Sequence, residues 1–316
     1  MKSQEEIENL IEHAWDLIQA DNLEQAAEIG RELKAEGVES GYRIVAMTYA
    51  MEENYDEAIA EIEAGIKTLP DAWQLHLQLG NFLSDKGDFD AALRTFDQTS
   101  RMPGAERHWI NMNKAVVYTR KMDFDQALTI LQDIEHPEAV NQAIELQLRI
   151  LDQLGRHDLI LEMEEELEYL QTPEDEAEAE ILSQICTYIA RAYFVENQNE
   201  PARHYVRQAI EYDRCNEDAA AVLREITGRF SEKSQIFSLI VSGVINDPDS
   251  EDEIPFLTTY GVVATSESDA LEMIREFEID AVVKDSLLIE EADSTDNEDG
   301  DPCGIYLVGG MAFPEN

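Results

Sequence analysis

The sequence predicts an all-α superhelix of about six helix–turn–helix repeats, followed by a small α+β domain with the element order ββαββ. A pattern of small, aromatic and turn-forming residues returns about every 34 residues up to residue 216. After about residue 231 it gives way to short β-branched and aromatic runs bounded by turn residues. We therefore predict two domains: residues 1–230, a repeat solenoid with a capping helix, and residues 231–316, a small acidic domain.

The clearest copy of the repeat runs from Trp73 to Glu106. Its small residues are predicted to let the two helices of one hairpin approach closely, and its aromatic residue to fill the gap to the next hairpin. Because a single hairpin has an apolar face that it cannot bury alone, the copies should stack. The residues that define the pattern are Leu79, Gly80, Leu83, Gly87, Asp88, Phe89, Ala92 and Phe96.

Further copies flank this one along the chain. The fifth is degenerate, because Leu148 and Ile160 stand where small residues are expected. Residues 217–229 are predicted to form a capping helix over the last copy. The other copies are predicted at residues 7–40, 39–72, 108–141, 141–174 and 183–216.

The C-terminal part is predicted to form one sheet with a single helix on one face. The helix should begin at Ser266-Glu267-Ser268, a helix-start signal, and place Leu271, Ile274 and Phe277 on one side. The remaining segments are predicted as strands at 235–245, 255–264, 279–289 and 305–313, and as an acidic, structureless loop at 290–302.

Residues 7–216 resemble the tetratricopeptide repeat family, and this resemblance covers about two thirds of the chain. The sequence departs from the family pattern at the signature Trp of the first helix: Trp73 and Trp109 stand near unit starts instead. The resemblance implies a right-handed superhelix that binds peptides or proteins in its concave groove, without catalysis of its own.

The resemblance also implies which residues line that groove, namely those on the first helix of each repeat. They include no Lys, so they do not reproduce the carboxylate clamp of the family's chaperone adaptors. Many are aromatic or Met residues, which commonly anchor protein interfaces. The predicted partner-binding residues are Trp15, Arg43, Met47, Met51, Leu77, Asn81, Asp85, Trp109, Met112, Val116, Arg120, Arg191 and Phe194.

The net charge of −46 limits the possible partners. Repulsion excludes unaided binding to nucleic acid or anionic membranes, and the charge favours a basic protein partner, divalent ions or simply solubility. The N-terminal residues have no leader-like pattern, no apolar run reaches the ~18 residues of a membrane span, and the three cysteines are widely spaced. A cytoplasmic protein with reduced thiols is expected.

Neither an active site nor a cofactor site is predicted. The six histidines are scattered, and the chain lacks H-E-x-x-H, G-x-S-x-G and phosphate-binding glycine motifs. The acidic stretches at 247–253 and 293–301 fail the EF-hand pattern, since the twelfth place counted from Thr295 is Tyr306 and not Glu. We expect no enzyme activity, no cofactor and no metal.

Three functional hypotheses remain at this point. The first is a scaffold that neutralises a basic, toxin-like protein through its acidic surface, as an immunity protein or antitoxin does. The alternative is a chaperone or assembly adaptor that holds an apolar client segment in the groove. The third makes the C-terminal domain a ligand-binding regulatory domain. The sequence does not predict the oligomeric state.

Overall fold

The computed structural model describes residues 2–164, 167, 173, 175–246 and 253–313. The chain forms two compact units, Met1–Ala143 and Ile144–Asn316. Most of the acidic stretch that follows residue 164, and the acidic residues 247–252 that the sequence suggested as a turn, lie outside the described residues.

The first unit consists of helical hairpins. In each hairpin the two helices pack against one another, and the first helices of consecutive hairpins are also in contact: α1 with α3, α3 with α5, and α5 with α7. The helices are α1 (Gln4–Gln19), α2 (Leu23–Ala35), α3 (Glu39–Met51), α4 (Tyr55–Thr68), α5 (Trp73–Asp85), α6 (Phe89–Thr99), α7 (Arg107–Arg120), α8 (Phe124–Gln132) and the beginning of α9 (Val140–Gln153).

Local sequence signals set where several of these helices start. Ser3 and Glu6 form a reciprocal capping box at the start of α1. The side chains of Asp88 and Asp123 accept hydrogen bonds from the backbone N–H groups of Ala91 and Gln126 at the starts of α6 and α8. These bonds satisfy amides that have no partner inside the helix.

One left-handed residue ends the first helix of every hairpin. The positive φ angle turns the chain so that the second helix folds back on the first. Glycine adopts this conformation without a steric penalty, whereas other residues meet a cost at the Cβ atom. The residues are Asp21, Glu53, Gly87, Met122, Gly155 and Asn197, with φ between 59° and 90°.

Replacing Gly87 with Ala is therefore expected to lower the free energy of unfolding by about 1 kcal/mol. Its φ is +90°, and an added Cβ would meet no neighbouring atom, so the loss comes from the backbone alone. Met122→Gly is the matched variant, because Met122 has φ +61° and its side chain is 69% exposed. Urea unfolding should show a loss for Gly87→Ala and none for Met122→Gly; equal losses would contradict this explanation.

The hairpin interiors follow the predicted small-and-large pattern. Ala46, Ala58, Ala92 and Ala115 are fully buried where helices approach closely. Gly80 on α5 faces the ring of Phe96 on α6, and a Cβ at Gly80 would lie less than 3.0 Å from three ring carbons. The absence of a side chain at residue 80 is therefore what allows the ring to pack against α5.

The second unit contains the remaining helices and a four-stranded antiparallel sheet. The strand order is β3-β1-β2-β4, and α14 packs on the sheet. After the rest of α9, the elements are α10 (His157–Glu164), α11 (Glu176–Val195), α12 (Asn199–Tyr212), α13 (Glu217–Thr227), β1 (Gln235–Asn246), β2 (Glu253–Ala264), α14 (Glu267–Phe277), a 3₁₀ turn (Lys284–Ser286), β3 (Leu288–Asp296) and β4 (Gly304–Val308).

One core joins the last helices to the sheet. Val206 of α12 and Val222 of α13 belong to the same buried cluster as Val262 of β2 and Phe277 of α14. The boundary between the two compact units falls within α9. Residue 230, the predicted domain boundary, therefore lies inside the second unit. The division into domains 1–230 and 231–316 stays a prediction.

The third strand lies elsewhere than the sequence predicts, and the fourth, β4, ends at Val308 and not at residue 313. Residues 279–287 form an irregular segment and a 3₁₀ turn, and β3 begins only at Leu288 and continues through the acidic stretch predicted to be a loop. Val282 and Leu287 of this segment are nevertheless buried in the core of the unit. Among the described strands, β3 pairs with β1 alone, at the edge of the sheet. It leaves most of its side chains exposed, so it carries no apolar alternation.

Arginines attach the helices of this unit to the sheet and to α14. Arg214 pairs with Glu278 at 2.5 Å and donates to the Tyr260 hydroxyl at 2.9 Å and to the Gly309 carbonyl at 2.7 Å. Glu278 is completely buried. Burial next to this carboxylate raises the pKa of Tyr260 well above its ordinary value, so the phenol stays protonated.

Candidate functional site

A cavity of about 420 Å³ lies between the first helices of consecutive hairpins in the first unit, and we call it the α3–α5–α7 groove. It is closed underneath by buried side chains and lined towards solvent by residues from all three helices. The lining residues are Met47, Ala50, Met51, Tyr55, Gln78, Asn81, Phe82, Ser84, Asp85, Phe96, Asn113, Val116, Val117 and Arg120.

Helical periodicity places equivalent residues together along this groove. Each of the three helices contributes two lining residues four positions apart, which lie on one face because a helix has 3.6 residues per turn. The repeat then places the pairs side by side. They are Met47 and Met51 on α3, Asn81 and Asp85 on α5, and Val116 and Arg120 on α7.

An ion pair connects α5 and α7 at the edge of the groove. Arg120 donates to Asp85 at 2.7 Å and to the Ser84 hydroxyl at 2.9 Å. Since both charged side chains are substantially exposed, the pair contributes only about 0–1 kcal/mol to stability. Its effect is mainly to fix the positions of the two groups across the groove.

Two amide side chains, those of Asn81 and Asn113, also line the groove. Asn113 donates to the Trp109 carbonyl at 2.9 Å, which leaves its oxygen available as an acceptor. In the described part of the chain, the Asn81 amide makes no hydrogen bond. Both amides can donate to and accept from an extended backbone.

The methionines form the apolar end of the groove. Met51 is 53% exposed, although Met is an apolar side chain. Met47 is partly buried and packs against two adjacent clusters of the solenoid core. A flexible thioether side chain of this kind adapts to varied apolar partners.

Five other predicted groove residues of the first unit do not line this cavity. Arg43 lies over the Trp15 ring at 5.9 Å and pairs with Glu39 at 3.4 Å. Leu77 packs against the cluster that contains Phe96. Trp109 contacts His108, with ring centroids 5.2 Å apart, and Met112 is half-buried outside the lining.

The last two predicted residues belong to the second unit. Arg191 pairs with Asp152 at 2.8 Å, and Phe194 packs against the core that joins the helices to the sheet. Both side chains therefore have structural contacts of their own. Their participation in partner binding remains a prediction.

Sequence spacing did not anticipate one cluster of the first unit. His108 and His136 stack with centroids 3.8 Å apart and an interplanar angle of 4°, and the ligand atoms of these residues and Glu138 all lie within 4.8 Å of one another. A metal ion must lie near the plane of each imidazole ring that binds it. Because the two ring planes are nearly parallel and separated, one ion cannot satisfy both rings in this arrangement.

Solved structures similar to this chain include a tetratricopeptide repeat protein, a type IV pilus biogenesis factor and a protein of Pseudomonas aeruginosa. PilW, described as a widely conserved type IV pilus biogenesis factor, matches with a TM-score of 0.50 at 16% identity over 70% of this chain and 100% of that chain. Pseudomonas aeruginosa PilF matches with a TM-score of 0.49 at 14% identity over 70% and 98% of the two chains. A tetratricopeptide repeat protein from Parabacteroides merdae gives 0.45 at 13% identity over 70% and 85%.

The helical hairpins thus define a repeat solenoid. Its fold is that of the tetratricopeptide repeat proteins, followed here by an antiparallel sheet with a helix, and both parts of the predicted fold class are confirmed. At these identities the similarity concerns the fold alone. A scan of protein-family models and a search of curated proteins gave no match to this chain. Among the described residues, no helix is both long and apolar enough to cross a membrane.

Proposed function

We propose that this chain is a protein-binding scaffold that holds an extended segment of a basic partner protein in the α3–α5–α7 groove. The observation that carries the proposal is the convergence of equivalent residue pairs, from the first helices of three consecutive hairpins, on one cavity of about 420 Å³. A volume of this order accommodates a few side chains of a bound segment.

The lining chemistry fits an extended segment with mixed side chains. Met47 and Met51 offer an adaptable apolar surface for an anchoring side chain. Asn81 has an amide free to bond the segment's backbone. Asp85 can accept a hydrogen bond from a Lys or Arg of the segment, which would replace part of its ion pair with Arg120.

The charge of the whole chain supports a basic partner. With a net charge of −46, long-range attraction accelerates encounter with a cationic protein and disfavours acidic ones. This acidity favours the neutralising role, in which the scaffold covers the working surface of a basic, toxin-like protein as an immunity protein or antitoxin does. The exposed Met51 side chain in the groove favours the alternative, an adaptor that binds an apolar client segment.

A peptide selection on the full chain tests the groove directly. We expect a random peptide library to yield segments that combine Lys or Arg with an apolar residue. Met51→Asp should weaken their binding at least tenfold, about 1.4 kcal/mol, because it places a charge where the anchor packs. Met122→Asp is the matched control, since Met122 is also exposed but lies outside the groove.

The outcomes separate the hypotheses. If Met51→Asp and Met122→Asp weakened peptide binding equally, the groove would not be the binding site. Selected peptides that lack basic residues and bind equally at high salt would overturn the basic partner and leave the adaptor. For the neutralising role, a basic protein that copurifies with the chain should lose its own activity at equimolar ratio, and retained activity would overturn that role.

A further inference from the structure

Four arginines line a second cavity, which lies within the second unit, and we call it the arginine cavity. Arg203 and Arg207 are on α12, Arg224 is on α13, and Arg229 follows α13. The cavity has a volume of about 580 Å³, within the range of small-molecule sites. This concentration of positive charge occurs in a chain with 69 acidic and only 23 basic residues.

Neutral acceptors hold these guanidinium groups in place. Arg207 donates to the Glu276 and Phe277 carbonyls at the end of α14, at 2.8 and 3.2 Å. Arg224 donates to the Ile305 carbonyl and lies over the Tyr306 ring at 3.9 Å. Because backbone carbonyls carry no net charge, these contacts orient the guanidinium groups without neutralising them.

Carboxylates compensate this charge only partly. Arg207 pairs with Asp280 at 3.2 Å and lies 3.9 Å from Glu211, and Arg229 pairs with Glu276 at 3.3 Å. Within the described part of the chain, Arg203 and Arg224 have no carboxylate at ion-pair distance. Burial lowers the pKa of the Arg224 guanidinium below its usual value, and nearby acidic groups offset this effect only in part.

The rest of the lining is largely apolar. Leu223, Met273, Phe277 and Ile305 form walls beside the guanidinium groups, and Glu276 is the one acid among the described lining residues. A ligand that fits carries negative charge to pair with the two arginines that have no carboxylate partner, and an apolar portion to cover these walls. A phosphate monoester meets the first requirement, and guanidinium groups bind its oxygens in pairs.

We propose that the arginine cavity binds a small phosphate-bearing molecule with an apolar body. Arg203 and Arg229, at the exposed side of the cavity, receive the phosphate together with Arg224. The apolar body lies against Met273 and Phe277. This site shares no residue with the α3–α5–α7 groove, so its test is independent of the proposed function.

Isothermal titration of the full chain with phenyl phosphate tests the proposal. We expect saturable submillimolar binding, with inorganic phosphate and phenol each binding at least tenfold more weakly because each supplies only half of the required chemistry. The strongly acidic surface repels anions elsewhere, so weak binding at other sites should not mask this one.

Three variants locate the site. Arg203→Gln should weaken phenyl phosphate binding about tenfold, roughly 1.4 kcal/mol. Glu276→Gln should tighten it several-fold by removing the acid from the lining, a gain that misfolding cannot produce. Arg156→Gln, an exposed arginine paired with Asp158 outside the cavity, should change nothing. No binding at millimolar phenyl phosphate, or equal affinities for the Arg203 and Arg156 variants, would overturn the proposal.

Discussion

Replacing Glu278 with Ala is expected to lower the free energy of unfolding by about 3–5 kcal/mol. Glu278 is 0% exposed and the side chain of its partner, Arg214, only 11% exposed, so the substitution leaves a positive charge buried without its counterion. The Tyr260 hydroxyl, which also bonds Glu278, loses an acceptor at the same time. Urea unfolding followed by circular dichroism measures the loss.

A neighbouring pair supplies the control for this prediction. Glu276 and Arg229 also form an ion pair, at 3.3 Å, but both side chains are exposed. Glu276→Ala should therefore cost less than about 1 kcal/mol. If the Glu276 and Glu278 variants lost equal stability, burial would not be the source of the effect.

The same explanation predicts that replacing both members of the buried ion pair restores stability. Replacing both members of the pair, as in Arg214→Met with Glu278→Leu, removes the uncompensated charge together with its partner and should recover much of the loss. In the native protein, Arg214 Nε and Glu278 Oε2 are buried without hydrogen-bond partners, so the pair itself is incompletely satisfied. A double variant less stable than Glu278→Ala would contradict this account.

Replacing Phe96 with Ala is expected to cost about 3–5 kcal/mol. The Phe96 ring is completely buried between the helices of its hairpin, and its removal leaves a cavity that the helices cannot fully close. Phe230→Ala is the control, because that ring is 64% exposed and should cost less than about 0.5 kcal/mol. Urea unfolding midpoints compare the two.

The close approach of Gly80 to this ring makes a second variant informative. Gly80→Ala alone should cost about 1–3 kcal/mol, because the added methyl group would overlap the ring. In the Phe96→Ala background the overlap disappears, so Gly80→Ala should cost much less there. A double-mutant cycle measures this coupling, and strictly additive losses would show that residue 80 does not meet the ring.

The sequence predicted the solenoid well because its determinants are local and periodic. Residues such as Gly80, Ala92 and Phe96 recur at fixed positions within the repeat and are buried as expected. Six of the residues that the family resemblance assigned to the partner-binding groove line one cavity, since residues four apart on equivalent helices lie on one face. Their role in binding stays a prediction.

The same reasoning failed where pairing with distant residues determines the structure. The β3 strand has almost no apolar pattern, because it is held by backbone hydrogen bonds to β1 at the edge of the sheet. Trp109 and Met112 do not line the α3–α5–α7 groove, and their part in partner binding stays a prediction. Position in a repeat gives the side of the helix, whereas the neighbouring side chains decide what each residue finally contacts.

By itself, the amino-acid sequence determined the helical hairpins, the change to a sheet after residue 231, and the acidic character of the chain. Only the tertiary structure brought Arg203 and Arg229 into one cavity, and buried Arg214 against Glu278, across separations of 26 and 64 residues. Hydrophobic periodicity acts over a few helical turns and can be read along the chain. A charged pair or a cavity depends on which distant segments the fold brings together, and no local pattern records that.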